Sequence, residues 1–333
     1  RIVLHGNDKH DDELALALDE RVGRIVVDNL EEIGRLGRMA AARGMRQPVL
    51  LRVNPGVEAE THPHLATGHA GSKFGLAIAG GGAEAGVRAV LDQPALDLRG
   101  LHAHIGSLIV DAGPYRQTVE RLLAFAAGMR DALGWQLHEL SPGGGFGVRY
   151  TPDDPPVAAA GLAEQVARHV AEVARSHGFD PPDLTLEPGR SIVAAAAVAL
   201  YTVGSLKPTA GGRTFVAVDG GMADNIRPTA YGARYTALLA NRASEPADGS
   251  YAIAGRYCET GDVLIGSVRL PRPAVGDLVG VPVAGAYQLS MAGNYNLVPR
   301  PAVVVVADGS ARLVRRRETA DDLFACDVLD VEV

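Results

Sequence analysis

Leu137-His138-Glu139-Leu140-Ser141-Pro142-Gly143-Gly144-Gly145-Phe146-Gly147 and Leu184-Thr185-Leu186-Glu187-Pro188-Gly189-Arg190-Ser191 are the stretches that decide the fold. Each opens on a short apolar run, 137–140 and 184–186, that reads as a β-strand, and each then turns on glycine. Residues 157–176 between them carry helical spacing. Two strands joined by a crossover helix run parallel, so both glycine turns fall at the end of the sheet where α/β barrels place their active sites. Glycine lets a backbone approach an anion, and exposed N–H groups at a strand-to-helix turn bind it. Arg190 adds a planar fork of donors for phosphate or carboxylate. Glu187 would repel a bare phosphate. A ligand with both a phosphate and a cationic or proton-bearing ring suits this pair better than a nucleotide does.

The same grammar extends outward. Strands are expected at 1–4, 25–28, 49–54, 100–104, 137–140 and 184–187, with helices at 12–20, 30–43, 83–91, 114–133 and 157–176. Alternation of this kind means parallel strands with crossover helices, and six units are two short of a closed (β/α)8 barrel. After about residue 200 the pattern changes to short β-rich runs at 200–206, 214–219, 278–284, 302–307 and 311–316, separated by Gly, Pro and Asp. They predict a mostly antiparallel β-domain, with Asp308-Gly309 as a hairpin turn. The expected organisation is a partial barrel over 1–198 and a β-domain over 199–333.

Composition narrows the function. A chain of 333 residues with a net charge of −7 argues against nucleic-acid or anionic-membrane partners. The apolar run 192–203 is too short to span a membrane and reads as a buried strand. The two cysteines make no disulfide framework and suit a reducing cytoplasm. No leader is expected ahead of Ile2-Val3-Leu4.

Four further constellations carry candidate chemistry. His102-Ala103-His104-Ile105-Gly106-Ser107 ends a strand, and its histidines share one side of an extended chain. They could pair on a metal, but no third ligand stands at suitable spacing. A histidine stacked on a ring with Ser107 donating to a phosphate fits better; a core histidine bonded to backbone is the plain alternative. Tyr257-Cys258-Glu259-Thr260-Gly261-Asp262 places a cysteine before two acids. It is open to a buried small hydrophobe, a proton-transfer role or, weakly, Ca²⁺. Arg227-Pro228 suggests a fixed guanidinium, with Tyr231 following, or an ordinary surface arginine. The run 285–296, with Tyr287, is a functional or interface loop.

Taken in order, these motifs resemble the fold-type III, pyridoxal-phosphate-dependent amino-acid decarboxylases of the alanine-racemase barrel type. The resemblance runs from Ile2-Val3-Leu4-His5-Gly6-Asn7-Asp8-Lys9 through Ser72-Lys73-Phe74-Gly75-Leu76, the His-Ile-Gly-Ser turn, the glycine triplet and Glu-Pro-Gly-Arg-Ser to Cys-Glu-Thr-Gly-Asp and the block from Tyr287 to Arg300-Pro301. It covers essentially the whole chain, and the block from Ala284 to Asn296 favours the diaminopimelate branch over ornithine or arginine decarboxylases. The resemblance implies that His104 stacks on the pyridoxal ring. It implies that Ser107, Gly143, Gly144, Gly145, Gly189 and Arg190 hold the phosphate, and that Glu187 keeps the ring nitrogen protonated. Arg190, Arg227, Tyr231, Glu259 and Tyr287 would meet the substrate, Tyr287 would also touch the cofactor, and Cys258 would deliver a proton. It further implies a cytoplasmic homodimer with shared active sites and conversion of meso-2,6-diaminopimelate to L-lysine. Alternatives are decarboxylation of another basic amino acid, or a non-catalytic regulatory homologue.

One departure stands out. Such enzymes tether the cofactor to a lysine on the first barrel strand, and the lysines here are Lys9, Lys73 and Lys207, none in that setting. Together with the strand count this leads us to expect a chain that begins at the third barrel strand and lacks ordinary turnover by itself.

Overall fold

The computed structural model describes residues 2–57 and 72–328. The chain forms two compact units, residues 1–148 with 156–191, and residues 149–155 with 192–333.

In the first unit, strands and helices alternate as β1 (Val3–Leu4), α1 (Asp11–Asp19), β2 (Arg24–Val27), α2 (Leu30–Ala42), β3 (Gln47–Asn54), β4 (Leu76–Ala77), α3 (Gly82–Leu91), β5 (Leu96–His102), α4 (Gly113–Leu133), β6 (Glu139–Gly144), α5 (Ala159–Ser176) and β7 (Asp183–Glu187). The sheet order is β1-β2-β3-β5-β6-β7, parallel throughout, with the short β4 beside the end of β3. This is a half-barrel built from the six strands expected; Arg1 lies outside the described residues. Ile25, Val26 and Val27 are all fully buried, as strands covered on both faces require. The helices seal the sheet with one apolar stripe each: α5 buries Leu162, Val166, Val170 and Ala174, one turn apart. Their ends are chemically marked. Asn29 accepts the Glu32 N–H at the start of α2, and Pro114 opens α4, which closes on Gly134 at φ 70°. Gly100 lets β5 and β6 touch, because a Cβ there would lie 1.7 Å from the Glu139 carbonyl oxygen.

After α6 (Gly189–Val193), the second unit holds β8 (Val198–Pro208), β9 (Thr214–Val218), α7 (Arg227–Tyr231), β10 (Leu238–Leu239), β11 (Gly249–Ala254), β12 (Val263–Leu270), β13 (Leu278–Pro282), β14 (Val303–Ala307), β15 (Ser310–Arg315) and α8 (Ala320–Phe324). Its main sheet runs β10-β13-β8-β9-β11-β12, antiparallel except where β9 meets β11. Asp308 and Gly309, both left-handed at φ 51° and 73°, turn the β14–β15 hairpin as expected. Two expectations need correction. Residues 192–203 are not one buried strand: α6 ends inside them, and Val198 and Leu200 of β8 are 56% and 60% exposed while Tyr201 and Val203 face inward. The alternation of a one-faced strand had read as a continuous apolar run. β11 and β12 were not expected, since Gly249, Gly266 and interspersed serines dilute their β signal. No helix among the described residues is long and apolar enough to cross a membrane.

Candidate active site

In the first unit, the C-terminal ends of the parallel strands gather polar groups. His5 follows β1, Arg52 lies near the end of β3, His102 ends β5, and Glu187 ends β7. His102 Nε2 lies 2.9 Å from Glu187 Oε1, to which the Ser141 hydroxyl also donates at 3.3 Å. The His5 ring stands edge-on to His102 with centroids 4.5 Å apart. Arg52 donates to His5 Nε2 at 2.9 Å, contacts Asp28 at 3.5 Å, and lies 4.4 Å from the Phe74 ring centroid. Asp28 in turn accepts the Gly75 N–H at 3.1 Å, so the Ser72-Lys73-Phe74-Gly75 motif is a brace for Arg52. Burial pushes the Glu187 carboxyl up, but the hydrogen bond and charge of His102, then His5 and His104, outweigh it and bring it to about 2. The carboxylate therefore stays ionised.

His104 lies two residues beyond the end of β5. Its Nδ1 accepts the Gly144 N–H at 3.3 Å, and burial lowers its pKa to about 4, so the ring is neutral. The fold assembles a different trio: atoms of His5, His102 and Glu187 that could bind a cation lie within 4.8 Å of one another. The Arg52 guanidinium bonded to His5 places a fixed positive charge against them. Arg190, 5% exposed, donates from Nη2 to Ser107 Oγ at 2.9 Å. The glycine triplet is required by the protein itself. A Cβ on Gly143 would lie 2.5 Å from the Ala103 carbonyl oxygen, on Gly144 1.9 Å from that of Glu187, and on Gly145 2.1 Å from that of Gly106. Gly189 faces open space.

The second unit assembles its own group. Arg227 is 2% exposed, not a surface arginine: its guanidinium lies 4.9 Å from the Tyr150 ring centroid and bonds the Tyr235 hydroxyl. Thr229 donates to the Gly261 carbonyl at 3.0 Å, tying α7, with Arg227 and Tyr231, to the turn that carries Cys258 and Glu259. Asp262 closes that turn by accepting the Met222 and Tyr257 N–H groups at 2.7 and 2.8 Å. Cys258 is exposed, against the buried-hydrophobe alternative, and Glu259 accepts a hydrogen bond from Tyr295. Tyr287, 45% exposed, has left-handed backbone at φ 60°.

His5, Arg52 and Asp28 escaped the sequence reading as site residues, while Asp262 and Tyr295 entered it only as members of the 257–262 and 285–296 runs. His5 and Arg52 could have been found from their places at strand ends; Asp262 and Tyr295 act through contacts that no spacing reveals. Of the lysines, Lys9 is buried against Glu32, exposed Lys73 lies 5.1 Å from the Phe74 ring centroid, and Lys207 is exposed on β8.

Residues 1–194 match the family model described as the pyridoxal-binding domain of pyridoxal-dependent decarboxylases. The chain is 46% identical to the diaminopimelate decarboxylase of Bacillus subtilis, covering 98% of itself and 75% of that protein. With the diaminopimelate decarboxylase of Mycobacterium tuberculosis the identity is 42%, over 98% and 75%. Its structure is similar to that of the M. jannaschii diaminopimelate decarboxylase in complex with L-lysine, with a TM-score of 0.89, 31% identity, and coverage of 98% of this chain and 74% of that one.

Proposed function

The chain belongs to the pyridoxal-dependent decarboxylase family, and on that premise we propose how its residues serve the conversion of meso-2,6-diaminopimelate to L-lysine and CO₂. The observation that carries the reading is Glu187, an ionised carboxylate at a strand end with a guanidinium–hydroxyl pair made by Arg190 of α6 and Ser107 of the loop after β5. That donor set fits a ligand with a protonated ring nitrogen and a phosphate. When bound, pyridoxal phosphate supplies a pyridinium ring that takes up the electron pair left as CO₂ departs. Glu187 holds the proton on the ring nitrogen. The neutral His104 offers a flat face to the ring without competing for that proton. Arg190, Ser107 and the unobstructed Gly189 hold the phosphate. Gly143 and Gly144 contribute shape, since their N–H groups are already engaged with Ser141 Oγ and His104 Nδ1.

Arg227, Tyr231 and Tyr287 bind the amino acid's carboxylates, Glu259 its distal ammonium, and Cys258 delivers the proton that replaces CO₂. We assign the exposed Cys258–Glu259 turn to a shared site in a homodimer, which sedimentation would test. The free thiols Cys258 and Cys326 suit the cytoplasm. The function is tested by titrating the chain with pyridoxal phosphate together with meso-diaminopimelate, ornithine or arginine, following cofactor absorbance and released CO₂. Meso-diaminopimelate should give the strongest response; preference for ornithine or arginine would overturn the substrate assignment.

A further inference from the structure

We propose that His102 is a positioning residue whose Nε2–H ties down one oxygen of Glu187, leaving the other to receive the ring nitrogen of the cofactor. This rests on the assignment of Glu187 above and deepens it. His102 pairs in register with Ser141, and both side chains converge on Oε1, at 2.9 and 3.3 Å. Among the described residues no hydrogen bond falls on Oε2. The plain alternative, a core histidine bonded to backbone, does not hold, because the partner is a carboxylate.

The imidazole is fully buried and its Nδ1 has no hydrogen-bond partner. That asymmetry fixes the tautomer. A proton on Nδ1 alone would leave a buried donor unpaired and set the Nε2 lone pair against a carboxylate. The ring cannot easily turn away either, since His5 stands edge-on to it and is itself held by Arg52. The groups facing Glu187 are His102, Ser141, His5, His104 and the Arg52 charge; of these only His102 and Ser141 donate to it.

The test uses the full chain without cofactor. Carboxyl-carbon NMR of Glu187 is followed with pH in wild type, in His102→Phe, which removes the donor, and in His102→Gln, which restores an N–H. Wild type and His102→Gln should stay ionised down to about pH 4, while His102→Phe should take up a proton at least about one pH unit earlier. In parallel, 4-deoxypyridoxine 5′-phosphate, which has the ring nitrogen and phosphate but no aldehyde, is titrated against each. Its affinity should begin to fall at a higher pH in His102→Phe than in the other two, following the shift of the Glu187 titration. Identical Glu187 titrations in all three chains would overturn the proposal. Should His102→Phe fail to fold, imidazole-nitrogen NMR of the wild type decides: an Nδ1–H tautomer overturns it, and an Nε2–H tautomer bonded to the carboxylate supports it. Failure of wild type to bind the analogue would refute the cofactor assignment instead, while the Glu187 titration still decides the role of His102.

Discussion

Replacing Lys9 with methionine exposes what the one buried lysine does. Its ammonium is 2% exposed and donates to Glu32 at 2.8 Å, to the Gly6 carbonyl at 2.7 Å and to the Val26 carbonyl at 2.9 Å. At that separation the attraction is about 6 kcal/mol for an effective dielectric constant of about 20, which roughly offsets the cost of burying two charges. Removing one partner is different. Glu32 would remain fully buried with one long bond from the Asp28 N–H, at 3.3 Å, and an Oε2 that already lacks a partner. Lys9→Met should therefore cost about 3–5 kcal/mol, whereas Lys9→Met with Glu32→Leu should return to within about 2 kcal/mol of wild type.

The pH dependence supplies the check. Burial already raises the Glu32 pKa against the pull of Lys9. Without Lys9 the folded state holds a proton that the unfolded state releases. The deficit then shrinks as pH falls toward 5, by up to about 1.4 kcal/mol per unit. Urea unfolding across that range measures both effects. A loss below about 1 kcal/mol, or a deficit that ignores pH, would show that Lys9 is not committed to Glu32.

Other expectations are simpler. Gly144→Ala should destabilise the fold and abolish analogue binding, since its Cβ would meet the Glu187 carbonyl oxygen at 1.9 Å; Gly189→Ala, in open space, should leave thermal stability near wild type. The His104 pKa, about 4, lies below its ordinary 6.5, so the unfolded chain takes up that proton first. Stability should hold above about pH 6.5 and fall by up to about 3 kcal/mol as pH drops through about 4, read by denaturation at stepped pH. Arg227→Lys should cost about 1–3 kcal/mol in calorimetry, because an ammonium cannot reproduce a planar stack on Tyr150 together with the bond to Tyr235. Tyr295→Phe should leave stability within about 0.5 kcal/mol but weaken meso-diaminopimelate binding about fivefold, by freeing Glu259.

Much of the fold was legible because its signals are local. Apolar runs too short for helices alternate with stripes one turn apart, so the six parallel strands and their helices could be read within a few residues. The Asp308-Gly309 turn has the same character: two residues suited to left-handed backbone declare a hairpin by themselves. β11 and β12 were missed because glycine and serine dilute the pattern, and pairing supplies what local propensity lacks. The 192–203 run misled because an apolar sequence does not say which of its side chains a neighbour will cover.

The sequence by itself determined the alternating parallel architecture and the ordered motifs that place the chain in its family, since both depend on residue type and spacing. Only the tertiary structure decided what the site residues do to one another. Glu187 is ionised because His102, on a strand two places away, points at it; Arg227 is buried because Tyr150 and Tyr235 close over it; Gly143, Gly144 and Gly145 are glycines because neighbouring backbones leave no room for a Cβ. Charge state, burial and close approach depend on which distant residues meet, and only the folded chain brings them together.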